Sequence, residues 1–130
     1  MASFFKILIV LLLSVLLHNI VFAQSRPTAG VEWTTETEHD FGDALKIERT
    51  YSFDFKFVNK SGGFLLIQNV RTECGCTVPS WSEEIIAPNE TSTIHVEFDA
   101  SKKQQFRKKI TVWFDHVKKP ETLWVEGEVL

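Results

Sequence analysis

The chain predicts an all-β fold, an antiparallel β-sandwich of about seven or eight strands. Three observations lead there. From about residue 31 onward, apolar residues recur at every second position rather than every third or fourth. Clusters such as Asn59 to Gly63, Pro88-Asn89 and Lys118 to Pro120 interrupt that alternation at short intervals. The patterned portion is about a hundred residues long, enough to bury a core without metals or a disulfide scaffold.

Residues 1–23 stand apart from this pattern. "MASFFKILIVLLLSVLLHNIVFA" has Lys6 early, an apolar run from Ile7 to Leu17 and a small residue at Ala23, the layout of a cleaved secretory signal. The run is about eleven residues long, shorter than the roughly 18 to 20 of a membrane span, so no span is expected after cleavage. The expected product is exported, periplasmic or secreted. Residues 24–30 form a polar N-terminal segment and residues 31–130 the sandwich domain.

Within the domain, "VEWTT" and His39 to Phe41 read as short first strands. "TYSFDFKFVN" is the clearest one: Tyr51, Phe53, Phe55 and Phe57 share one face, Ser52, Asp54 and Lys56 the other. "FLLIQNV" is more continuously apolar, as expected of a strand covered on both sides or near the sandwich centre. "VPSWSEEIIAPNE" contains Pro79 and Pro88 and reads as irregular chain with a short strand at Ile85 and Ile86. "TSTIHVEFD" points Ile94, Val96 and Phe98 inward. "FRKKITVWFD" does the same with Phe106, Ile110, Val112 and Phe114; Lys108 shares their parity, so the strand either begins after it or bulges there. "TLWVEGEVL" closes the chain with Leu123, Val125 and Val129 inward and Trp124, Glu126 and Glu128 outward.

Setting aside Lys6 from 14 basic residues leaves 13 against 17 acidic, a formal charge of −4 on residues 24–130. That mild acidity argues against a dedicated nucleic-acid binder. No G-x-S-x-G, H-E-x-x-H or P-loop pattern is present. His95 with Glu97, and Glu126 with Glu128, could be posed as acid–base pairs, but such pairs are ordinary on a wet strand face.

The two cysteines, Cys74 and Cys76, are separated by Gly75. In an extended strand their Cα atoms would lie ~6.6 Å apart, at the outer limit of disulfide geometry, so a bridge requires a bend, which Gly75 permits through positive φ. The three-residue loop would add only about 1.6 kcal/mol of stability by chain entropy. Five readings stay open: a local disulfide, buried reduced thiols, thiol–disulfide exchange, a soft metal site for Cu(I), and an interchain link. Zinc would need more ligands than the isolated His39, His95 and His116 suggest.

Several segments together carry a resemblance: "HDFG" at His39 to Gly42, "FDFKFVN", "LLIQNV", "CGCT" at Cys74 to Thr77, "IIAPNE", "IHVEFDAS" and "LWVEGEV". The chain resembles domain of unknown function family 1573, exported bacterial proteins similar to Hydin-type immunoglobulin-like sandwiches. The resemblance implies an immunoglobulin-like fold and an exported location, and marks Cys74, Gly75, Cys76 and Thr77 as motif positions without a known role. Two departures stand out. Pro88-Asn89 replaces the family's Pro-Gly, a mild change because asparagine tolerates left-handed backbone, and Gln104-Gln105 replaces its usual glycine.

Two surfaces are candidates for an unidentified protein or cell-surface glycan partner. "KKQQFRKK" gathers Lys102, Lys103, Arg107 and Lys109 into a candidate basic patch, though a solvated hairpin tip is the favoured reading of the same residues. Trp113 and Trp124 fall on the outward face of adjacent strands and could form an aromatic contact surface, unless an extra strand covers that face or the register is shifted by one. Asn59-Lys60-Ser61 and Asn89-Glu90-Thr91 match the glycosylation sequon in predicted turns. The sequence favours a non-catalytic binding or assembly module, with thiol exchange or Cu(I) binding through Cys74 and Cys76 as the alternative.

Overall fold

The computed structural model describes residues 30–130 and six positions among the first nine. The signal reading of residues 1–23 and the polar segment 24–30 therefore fall almost entirely outside the described residues.

Among the described residues, eight strands form two four-stranded sheets: β1 (Val31–Trp33), β2 (Glu38–Asp40), β3 (Thr50–Asn59), β4 (Ile67–Thr72), β5 (Thr77–Trp81), β6 (Thr91–Asp99), β7 (Gln104–Phe114) and β8 (Glu121–Val129). One sheet has the order β1-β3-β6-β5 and the other β2-β8-β7-β4. Read as A to G, with β2 as a continuation of A, these are the ABED and CFG sheets of an immunoglobulin constant-type sandwich. The first strand switches sheets between Trp33 and Glu38. Its second half therefore runs parallel to β8, an exception to the all-antiparallel expectation.

The alternating strands behave as their period dictates. On β3, Phe55 and Phe57 are fully buried, as are Ile94, Val96 and Phe98 on β6 and Ile110 and Val112 on β7. The two sheets meet through aromatic contacts: Phe57 on β3 lies edge-on to Phe114 on β7 at 5.3 Å, and Phe98 on β6 stacks on Phe106 at 3.7 Å. Antibody-type domains join strands B and F with a disulfide; here the corresponding β3 and β7 are joined by rings.

Four strand expectations are corrected. "FLLIQNV" is not central: β4 is an edge strand, and its apolar run is split by a register shift between Ile67 and Asn69 that lets Ile67 and Val70 both face inward. Thr77 to Trp81 is a strand despite Pro79, because β5 is also an edge. Pro79 stands opposite Val96, between the pairs that exchange hydrogen bonds, so its missing N–H falls on the open side. The expected Ile85–Ile86 strand contracts to one bridge, Leu65 with Ile86. Lys108 neither ends β7 nor bulges it: the β7–β8 ladder runs unbroken from Gln104 to Val112. β4 reaches only as far as Ile110 on β7, so the half-exposed Lys108 stem extends beyond that covered stretch.

Asn59, at the end of β3, is fully buried and fully satisfied. Its Nδ2 donates to the carbonyls of Gly63, Ile86 and Ala87 at 2.8, 2.9 and 3.2 Å. Its Oδ1 accepts from the Ser61 backbone N–H and hydroxyl. One side chain thus ties the β3–β4 turn to the chain that precedes β6. The turn it holds is type II in form: Pro88 occupies its second position, Asn89 has φ 63°, and Glu90 N donates to Ala87 O. Asn89 adopts the left-handed backbone expected of it.

Candidate functional site

β4 and β5 belong to different sheets and are joined by the four residues Glu73 to Cys76. The chain must turn from one layer to the other within that stretch, which brings Cys74 and Cys76 closer than an extended strand allows. Their Cα atoms are 5.3 Å apart and the sulfurs are joined in a disulfide. Of the readings left open by spacing, the geometry is that of the local disulfide. The bend differs from expectation in one respect. Gly75 is not among the residues with positive φ, and a Cβ built on it meets no atom within 4 Å.

The corner is held by its threonines. The Thr72 hydroxyl lies 3.0 Å from the Cys74 carbonyl and 2.9 Å from the Thr77 carbonyl, sharing its proton between them. Asp99 N donates to the Cys76 carbonyl at 2.8 Å, which starts the β5–β6 ladder. Thr77 is 2 % exposed, and its Oγ1 stands 3.8 Å from Cys74 Sγ and 3.9 Å from Cys76 Sγ. Disulfide sulfurs carry no hydrogen, so the hydroxyl is the donor. Cys74 and Cys76 are both half-buried, with Cys76 packed against the core, and Gly75 between them is exposed. Glu73 is paired with Lys109 at 3.3 Å.

A disulfide offers no thiolate, so the Cu(I) reading of Cys74 and Cys76 would require prior two-electron reduction. Among the described residues no group of three or more His, Cys, Asp and Glu is arranged to hold a metal ion.

The basic segment does not form one patch. Lys102 and Lys103 are exposed in the connection from β6 to β7, which crosses between sheets rather than closing a hairpin. Arg107 bridges Glu126 and Glu38, the latter at 3.0 Å, and these carboxylates raise its pKa, Glu126 most. Lys109 faces Glu73. Trp113 and Trp124 do lie on the outer side of neighbouring strands, but Trp124 pairs with Lys109, four residues from Trp113, about 13 Å along the strand. Each ring has an arginine over it: Arg71 over Trp113 at 5.7 Å and Arg107 over Trp124 at 4.6 Å.

Sequence reading missed a pair of exposed apolar side chains at the start of β4. Leu65 and Ile86 exchange two backbone hydrogen bonds, 3.0 and 2.8 Å, and point inward. Their neighbours Phe64 and Ile85 are 72 % and 66 % exposed. The signal was present in "FLLIQNV" and "EEIIAP": two adjacent apolar residues cannot both face inward at period two, but only the bridge shows which one turns out.

The family model for proteins of unknown function, DUF1573, matches residues 31–129. The chain belongs to this DUF1573 family. Among curated proteins none matches it in sequence. Solved structures resemble it in fold. The PapD-like domain 7 of human CEP192, an ASH domain, superposes with a TM-score of 0.66 at 10% identity, over 86% of this chain and 94% of that one. A protein of unknown function from Porphyromonas gingivalis W83 gives 0.64 at 19% identity, over 85% of this chain and 51% of that one. The secreted serine protease VesC from Vibrio cholerae gives 0.57 at 12% identity over 78% of this chain, which spans 23% of the protease. At these identities the likeness establishes the fold alone. For this DUF1573 protein it establishes an immunoglobulin-like β-sandwich.

Proposed function

We propose that this DUF1573 protein is an exported, non-catalytic immunoglobulin-like module that binds or assembles with a partner protein through the sandwich edge where β4 begins. The exposed pair Phe64 and Ile85, flanking the Leu65–Ile86 bridge, carries this reading. Single exposed apolar residues are ordinary on a protein surface, but two large ones on paired segments offer a partner a larger apolar area to bury. Past the Leu65–Ile86 bridge, which already uses the Leu65 main chain, Ile67–Thr72 of β4 lies at a sheet edge, where an extended partner segment could add main-chain hydrogen bonds to side-chain burial. The other edges are less open. β1 and β2 have three residues each, and β5 carries Pro79 on its open side.

The chemistry favours protein over glycan. A sugar would stack on an open aromatic face, and both outward tryptophans already have arginines over their rings. Export rests on the signal pattern of residues 1–23.

Site-specific photocrosslinking tests the reading. A photoreactive residue at Ile85, in cells making the protein, is expected to yield a discrete adduct, and one at Glu32 on the opposite edge strand none. No adduct from Ile85, or the same adducts from both positions, would overturn the proposed surface.

A further inference from the structure

We propose that the Cys74–Cys76 disulfide is a thiol–disulfide exchange site for an accessible dithiol of another protein, with Thr77 as the group that stabilises the departing thiolate. Three observations meet at this corner. A bond closing a three-residue loop contributes little to the fold, because it removes little entropy from the unfolded chain. Gly75 lies between the sulfurs, exposed, where neither φ nor neighbouring atoms demand a glycine; its lack of a side chain leaves the disulfide open to an approaching backbone. The third is the Thr77 hydroxyl, buried to 2 % and directed at both sulfurs. To a neutral disulfide such a donor is worth little; to a thiolate it makes a charge-assisted hydrogen bond.

The step follows from the asymmetry of the two cysteines. Both cysteines are half-buried and Cys76 is the one packed against the core, so the incoming thiolate attacks Cys74 Sγ. A partner–Cys74 bond forms as the Cys74–Cys76 bond breaks, and the electron pair stays on Cys76 Sγ as a thiolate, to which the Thr77 hydroxyl donates a hydrogen bond. The partner's second thiolate then attacks its own sulfur in the mixed disulfide and releases Cys74. The partner loses two electrons and two protons in forming its disulfide; this chain gains both as two thiols. Glu73, the acidic neighbour of Cys74, is paired with Lys109 at 3.3 Å, which offsets its repulsion of the developing charge.

Glutathione serves as the probe. Folded protein is incubated with reduced glutathione, quenched by alkylation and weighed, with far-UV circular dichroism recorded in parallel. Exchange in the folded state is expected, slowed roughly tenfold in Thr77→Val and close to wild type in Thr77→Ser, which keeps the hydroxyl. A disulfide that resists glutathione until the protein unfolds, or a Thr77→Val variant exchanging at the wild-type rate, overturns the proposal. If Thr77→Val does not fold, the 240 nm titration of reduced wild-type protein decides. A thiol titrating below the ordinary value of about 8.5 supports the site, and one at or above it overturns it.

Discussion

Thr77 Oγ1 stands 3.8 Å from Cys74 Sγ, a buried hydroxyl whose hydrogen-bond partners among the described residues are sulfur atoms. The relationship separates what the disulfide does for the fold from what it can do chemically. Replacing Cys74 and Cys76 together by serine should cost no more than about 2 kcal/mol, since the closed loop is three residues long. Chemical denaturation of the two proteins should give equal slopes and a modest midpoint shift. A variant that fails to fold would make the bridge a staple after all.

Asn59 should matter far more to stability than the disulfide. Asn59→Asp keeps the acceptor facing Ser61 but places an oxygen against the carbonyls of Gly63, Ile86 and Ala87, in a position with no solvent. A loss of about 3 kcal/mol is expected, read from urea unfolding. The same burial bears on the Asn59-Lys60-Ser61 sequon: the amide has no free face for a glycan.

Asn89 reports on the Pro88 turn. At φ 63°, Asn89→Val should destabilise by about 1–2 kcal/mol, whereas Asn89→Gly should be neutral or slightly stabilising. Thermal midpoints of the two variants check this. Equal losses in both would show that the Lys60–Asn89 side-chain contact, 3.2 Å, matters more than the backbone.

His95 gives the protein a small pH dependence. Its Nδ1 lies 2.6 Å from Asp54 Oδ1, and that hydrogen bond, aided by Glu97 and opposed by desolvation, raises its pKa above the ordinary ~6.5. The stabilisation is therefore fully present below about pH 6.5 and is lost as pH rises through the raised folded-state value. The side chain is 39% exposed, so solvent screening limits the effect to a few tenths of a kcal/mol. The stability difference between wild type and His95→Gln should shrink from pH 5.5 to 8.5; a constant difference would contradict the assignment.

The central strands were legible because alternation and burial coincide in them: β3 and β6 pair residue for residue from Thr50–Asp99 to Val58–Thr91. The edges were not. β4 looked central because a register shift turns Ile67 and Val70 to the same side, and β5 looked irregular because Pro79 is excluded only from strands paired on both sides. Spacing correctly required a bend between Cys74 and Cys76, but the bend comes from crossing between layers, a tertiary cause, and not from left-handed backbone at Gly75. Asn59 read as a turn residue because nothing local reveals that residues 86 and 87 close over it. Arg107 and Lys109 likewise looked free until β2, β8 and the Glu73 turn placed carboxylates beside them.

The most direct test of the binding account compares the Ile85 photocrosslink in three backgrounds: wild type, Phe64→Glu, and Cys74→Ser with Cys76→Ser. Partner contact through the apolar edge predicts an adduct that persists without the cysteines and disappears with Phe64→Glu. An adduct that survives the charge at Phe64, or that is lost with the cysteines while the fold is retained, would contradict it.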